Sequence, residues 1–239
     1  MNSDLKLAAL REWARLEAQL AAPPAPVRAR APVAPRVLGV VAKLLLFAVL
    51  PFLILVRVSV LWYSHFRSPT WLALVVGVCG MVVVVTAYAA WLSQRLTGRA
   101  RVFVIARRVA LPLVLAYVGY TLVYLSSVNA KSEGVRGYYA SLHPLLRVAL
   151  STWILVDRDI VITDVARRRG DYGTLGLPVN EGSLHYRQPD GYVHAADLRT
   201  AGRSFVKNRL VQLYLWTMGF ETRRHVGTAD HLHVELPAR

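Results

Sequence analysis

The sequence predicts an all-α membrane region of three transmembrane helices followed by an α+β domain with a mainly antiparallel sheet. Three observations lead there. Apolar runs over about residues 37–62, 71–92 and 109–128 each approach the roughly 20 residues that cross a bilayer. The formal net charge of +15 is unevenly spread: residues 1–130 hold 14 Lys/Arg against 3 Asp/Glu, and residues 131–239 hold 15 against 11. Beyond residue 130 the long apolar runs give way to short segments that alternate between helical and strand periodicity.

Taken in order, "SDLKLAALREWARLEAQL" places Leu5, Leu10, Trp13, Leu16 and Leu20 at helical spacing. That stripe suits a membrane surface, a partner helix or a short solvated helix. "AAPPAPVRARAPVAPR" reads as a stiff Pro/Ala linker. Residues 1–36 are therefore a cytoplasmic amphipathic helix plus linker. Because this polar stretch precedes the first apolar run, that run reads as an uncleaved anchor and not a signal peptide. Within it, Lys43 and Arg57 stand near opposite ends, where long side chains snorkel to the interfaces. Trp62, Tyr63, Trp71 and Trp91 fall where an aromatic belt belongs. Arg28, Arg30 and Arg36 precede the first span, and Arg95, Arg99, Arg101, Arg107 and Arg108 separate the second from the third. Only Arg67 lies between the first two spans. Basic flanks stay cytoplasmic, so the N-terminus is expected inside and the C-terminal domain, residues 131–239, outside.

This balance argues against a nucleic-acid binder. The basic half is also the apolar half, and the C-terminal half is close to balanced, with acids throughout. The single cysteine, Cys79, lies in an apolar run, which excludes an intrachain disulfide or a cysteine metal cluster.

In residues 131–239, "YYASLHPLLRVALSTWI" is apolar at helical spacing, with Ser141 and Pro144 suited to its first turn. "RDIVITDVAR" is β-branched and reads as a strand, and "GDYGTLGLPVNEG" as a loop. "YVHAADLRT" follows as a second strand, and "GRSFVKNRLVQLYLWTMGF" as a helix ending near Gly219. "TRRHVG" and "HLHVEL" suggest a closing hairpin. Asp157 and Asp159 are expected to pair with nearby arginines or face water. "ARRRGD" reads as a solvated basic turn. His143 and His225 read as hydrogen-bonded or solvated polar residues.

Five of the seven histidines, His185, His194, His225, His231 and His233, fall in the last 55 residues, with Asp197 and Asp230 beside them in sequence. A hydrolytic zinc site needs three protein ligands and an open position for water. It also needs a nearby group to take the proton.

"SLH" at 183–185, "GYVHAAD" ending at Asp197 and "DHLH" at 230–233 together resemble the zinc D-alanyl-D-alanine peptidases. That family carries Ser-x-His, then Gly-x-Ala-x-Asp, then a late His-x-His. The resemblance covers residues 140–236 and not the membrane half. It implies a D-Ala-D-Ala metallopeptidase-like fold, Zn2+ as cofactor, and His185, Asp197 and His233 as its ligands. It implies Asp230 or His231 as the catalytic group that handles the proton. Ser183 and Arg167 fall on the substrate side, Arg167 as the anchor for a peptide carboxylate. Eleven residues separate His185 from Asp197, and the insert "RQPDG" reads as a surface turn. His194, three residues before Asp197, is the alternative to His185. The implied activity is hydrolysis of a D-amino-acid-containing peptide bond in peptidoglycan, outside the bacterial cytoplasmic membrane. The alternative is an inactive domain that binds cell-wall peptide or a membrane partner. An external domain agrees with the arginine distribution.

Overall fold

The computed structural model describes residues 3–21, 33–167, 170, 181–227 and 230–237. The centre of the Pro/Ala linker, Arg28 and Arg30, most of the loop before Glu181 and most of the basic turn after Arg167 lie outside the described residues. The chain divides into two compact units, Met1–Leu45 and Leu46–Arg239. In the first, α1 (Ser3–Ala21) is the expected helix, with its leucines and Trp13 exposed. The last linker residues are already helical there, since α2 (Val33–His65) begins at Val33.

Three helices are long and apolar enough to cross a membrane: Val37–His65, Thr70–Thr97 and Val102–Val123. The first two follow the sequence expectation closely. α3 (Thr70–Thr97) stops at Gly98, which takes the left-handed conformation (φ 68°) that favours glycine. The third begins earlier and ends sooner than the apolar run. It consists of α4 (Val102–Ile105), a π-turn at Ala106–Ala110 and α5 (Leu111–Val123). Arg107 and Arg108 are thus inside the helix, on its exposed side. The early stop has a local cause. The last carbonyls of a helix lack intrahelical partners. Here Tyr139 Oη donates to Thr121 O at 2.8 Å and Arg147 Nη1 donates to Leu122 O. Tyr124 then turns extended (φ −112°, ψ 129°).

Those partners belong to the next elements: a short α6 (Glu133–Gly137), then α7 (Pro144–Val156). α7 has proline at its first position and His143 as its N-cap, accepting from the Leu145 N–H. Every residue from Pro144 to Thr152 is buried, against α5 on one side and the later helix α8 (Phe205–Met218) on the other. Ser141, expected in the first turn of this helix, sits instead in a preceding 3-10 turn, Tyr139–Ser141.

The sheet is antiparallel throughout, in the order β1-β2-β4-β3: β1 (Ile162–Asp164), β2 (Ala195–Arg199), β3 (Glu221–His225) and β4 (His231–Glu235). β3 and β4 form the expected closing hairpin. α8 (Phe205–Met218) runs between β2 and β3, starts on a Ser204 cap and ends at Gly219 with φ 98°. Side chains alternate across the sheet. Ala196, Leu198, Leu232 and Val234 are buried in one hydrophobic core with Val211, Leu215 and Met218 of α8. That core also takes in Leu55, Val60 and Tyr63 of α2 and Leu74 of α3, so packing runs unbroken across residue 130. The opposite sheet face carries Asp197, Arg199, His231, His233 and Glu235.

Candidate metal centre

β2 and β4 build the site through their register. Asp197 is paired with His233, and directly opposed residues of an antiparallel pair project to the same face. His185 arrives from outside the sheet, on a turn pinned by the main-chain bonds Arg167 N–His185 O (3.1 Å) and His194 N–Leu184 O (3.0 Å). Ser183 is part of that turn, its Oγ accepting the His185 N–H at 3.4 Å.

Three ligating atoms converge. His185 Nε2 lies 3.3 Å from His233 Nδ1 and 3.3 Å from Asp197 Oδ1, and His233 Nδ1 lies 2.8 Å from Asp197 Oδ1. A tetrahedral zinc ion about 2.0–2.1 Å from each ligand would hold them about 3.3 Å apart. Two edges of the triangle already have that length, and the third is shortened by the hydrogen bond that spans it.

The protons also fit. His185 Nδ1 is 2.7 Å from the Val165 carbonyl oxygen. A carbonyl only accepts, so Nδ1 carries the hydrogen and Nε2 keeps its lone pair, aimed at the other two ligands. His233 Nε2 lies 3.0 Å from Glu235 Oε2. That contact can hold the hydrogen on Nε2 and leave Nδ1 to coordinate. Asp197 Oδ2 accepts from Arg167 Nη2 at 2.8 Å, leaving Oδ1 for the ion. The donor set and its outer hydrogen bonds fit zinc. His185 and Asp197 are buried, while His233 and His231 remain partly open (16% and 24% side-chain exposure), so access to the site is from their side.

The electrostatics agree. Burial raises the Asp197 carboxyl. The His185, His233 and His231 imidazoles gathered around it outweigh this and hold Asp197 well below the usual carboxylate range. Burial lowers His233, yet its bonds to Asp197 and Glu235 prevail and raise it above an ordinary histidine. A raised imidazole between two carboxylates is a site organised for positive charge.

The remaining sequence candidates separate. His231 Nε2 is 3.8 Å from Asp197 Oδ1, and its ring stacks on His225 with centroids 4.8 Å apart. Asp230 is committed elsewhere: Thr200 Oγ1 donates to its Oδ1 and Arg224 Nη2 to its Oδ2 at 2.9 Å. The bonds from Arg224 and Thr200 hold its carboxyl below the usual range, which makes it a weak base. Arg167 is forked between Asp164 (2.5 Å) and Asp197 (2.8 Å), where it orients a ligand.

His194 stands apart from this group, in a second cluster with His143 and Asp190. Its Nε2 is 2.8 Å from Asp190 Oδ2, and His143 Nε2 is 2.9 Å from Thr70 Oγ1 at the start of α3. The insert "RQPDG" is a tight turn, with Gly191 N bonded to Gln188 O, that carries Asp190 back onto these histidines. His143 is fully buried and hydrogen-bonded rather than solvated. Asp157 pairs with Arg203 and Asp159 with Lys207.

Glu235 escaped the reading of the sequence although its signal was present: it follows His233 by two residues on a strand, the same i, i+2 rule that aligned the two histidines. His225 joins the histidine row through strand pairing with His231, which no local pattern reveals.

No family model, curated protein or solved structure matches the chain.

Proposed function

We propose that the chain is a membrane-anchored zinc peptidase that hydrolyses a D-amino-acid-containing peptide bond of peptidoglycan, with its catalytic domain outside the cytoplasmic membrane. The observation that carries the reading is the triangle of His185 Nε2, Asp197 Oδ1 and His233 Nδ1, each ligand oriented by its own outer hydrogen bond. The arginine-poor link between the first two spans supports the external placement.

A bound zinc ion supplies Lewis-acid polarisation of a carbonyl and lowers the pKa of water beside it. The chain's residues do the rest. His185 and Asp197 form the buried floor. His231, on the open side, is the residue placed to take a proton and return it to the leaving amine. Asp230 holds the hairpin through Arg224. Arg167 fixes Asp197, so the substrate carboxylate falls to Arg223, which is 71% exposed and paired with His233 in the sheet.

His233→Ala tests the assignment. Loss of both stoichiometric zinc and muropeptide cleavage is expected, and retention of both would sink it. A second reading is favoured by one observation: Asp230 and Arg167, the two residues the family resemblance would use for the proton and the substrate, are both held in ion pairs. On that reading the domain binds zinc and wall peptide without cleaving. Muropeptide binding by a zinc-loaded protein that releases no product distinguishes it.

A further inference from the structure

α8 is apolar on both sides. Its inward residues Val211, Leu215 and Met218 enter the core. Its outward side presents Phe205, Val206, Leu210, Leu213 and Trp216, between 49% and 65% exposed. At 100° per residue these five fall within an arc of about 140°. The cation in that arc, Arg209, lies over the Phe205 ring at 5.2 Å and bonds to Gln212. A helix with apolar residues on its outward as well as its inward side presents a contact surface outward.

The patch is concentrated. Among the described residues beyond 130, nine large apolar side chains are exposed, and seven of them lie on α8 or are Leu155 and Val156 in the last turn of α7. Such clustering marks a contact surface, where scattered single residues would not.

The fold fixes where this surface sits. Gly219, which ends α8, is packed against α2 so closely that a Cβ there would lie 2.4 Å from Arg57 Nη1 and 3.0 Å from Val60 Cγ1. Arg57 is eight residues before the end of the Val37–His65 span, about 12 Å along the helix axis. That 29-residue span is about 43 Å long, close to a bilayer with its headgroups. Centred in the membrane, its final ~7 Å lie among headgroups and Arg57 falls just inside the acyl boundary. An interfacial helix buries its apolar face about 5–10 Å into that same zone. The Arg57 guanidinium against the C-terminal end of α8 also accounts for one of the two basic residues, with Lys43, inside that span.

We infer that the outward face of α8, with the last turn of α7, is embedded in the lipid interface beside the spanning helices. The domain then rests on the bilayer rather than projecting from it, and the His/Asp site is held at a fixed height. The occupant is lipid because the Gly219–Arg57 contact ties the end of α8 to α2 at the depth where an interfacial helix lies. This inference does not depend on the peptidase reading.

Nitroxide accessibility tests it. Single cysteines replace Leu213, Trp216 and, as a water reference, the 82% exposed Val226, each in the full chain with Cys79→Ser. The proteins are reconstituted in vesicles of phosphatidylethanolamine and phosphatidylglycerol. The ratio of relaxation by oxygen to relaxation by a water-soluble nickel chelate is expected to be several-fold higher at 213 and 216 than at 226. Equal ratios overturn the inference. So does shielding of 213 and 216 from both reagents, which identifies a protein partner or a second copy. Leu210→Cys provides an independent position should either variant fail to fold.

Discussion

Glu235 is the most informative place to perturb the site, because nothing assigns it to the zinc except its bond to His233. Its Oε2 lies 3.0 Å from His233 Nε2, and its side chain is 18% exposed. Removing it frees the imidazole to rotate and to place its hydrogen on Nδ1, the atom that must coordinate. Loss of such an outer partner typically weakens metal binding about 10–100-fold, which is about 1.4–2.7 kcal/mol. Glu235→Ala should therefore bind zinc that much more weakly. Glu235→Gln, which keeps an acceptor oxygen without the charge, should fall between. Competition with a chromogenic chelator, on the full chain in detergent at neutral pH, measures this directly. Glu221, paired with Glu235 across the hairpin and exposed, is the matched control, and its alanine variant should bind as the wild type does. Wild-type affinity in Glu235→Ala, alongside lost binding in His185→Ala, would refute the idea that this carboxylate fixes the His233 tautomer.

Three further outcomes follow from other parts of the molecule. His185→Ala should lose stoichiometric zinc by elemental analysis, whereas His194→Ala should keep it and instead lose about 1–3 kcal/mol of stability, since Asp190 is left without its imidazole; the reverse pattern would exchange the two ligands. Asp230, whose carboxyl is held low by Arg224 and Thr200, contributes stability above the ordinary carboxyl range of about pH 4 and loses it as the pH falls through its own lower value. The stability difference between wild type and Asp230→Asn should therefore be complete at neutral pH and vanish in acid, as followed by denaturant titration. Gly77→Ala would put a Cβ 2.0 Å from Ser59 Oγ and 2.5 Å from the Leu55 carbonyl oxygen, so α2 and α3 must part at a cost of about 1–3 kcal/mol. Adding Ser59→Ala should not restore the melting temperature, because the carbonyl remains.

What the sequence revealed and what it concealed divide along physical lines. The spans were legible because apolar length alone defines them, and the closing hairpin because two short strand patterns flank a glycine. The end of the third span was not legible. Its apolar run continues to Val128, but α5 stops at Val123 where Tyr139 and Arg147, distant in sequence, satisfy its carbonyls. Likewise the strand rule placed His231 and His233 on one face, but their unequal roles depend on register. Asp197 opposes His233, and Arg199 opposes His231. The fate of Arg167 was hidden because two carboxylates, Asp164 and Asp197, become neighbours only when β1 pairs with β2.

The two histidine–aspartate clusters look alike in composition, and hydrogen positions decide between them. In the first, the Val165 carbonyl forces the hydrogen of His185 onto Nδ1, so its Nε2 lone pair faces His233 and Asp197. In the second, the Leu145 N–H donates to His143 Nδ1, so the neutral ring carries its hydrogen on Nε2 and directs it at Thr70 Oγ1. Coordination through His143 Nε2 would require moving that hydrogen to Nδ1, against a backbone N–H that has no other role at the start of α7. The second cluster is therefore a strap. It joins the start of α3 to the N-cap of α7 and, through Asp190 and His194, to the beginning of β2, three residues from Asp197. Tyr63 of α2 closes it, edge-on to His143 at 4.9 Å. The strand that carries Asp197 is thus braced on the facing ends of α2 and α3. The same side-chain types that in one triad offer three converging ligand atoms make the other the mount that holds it.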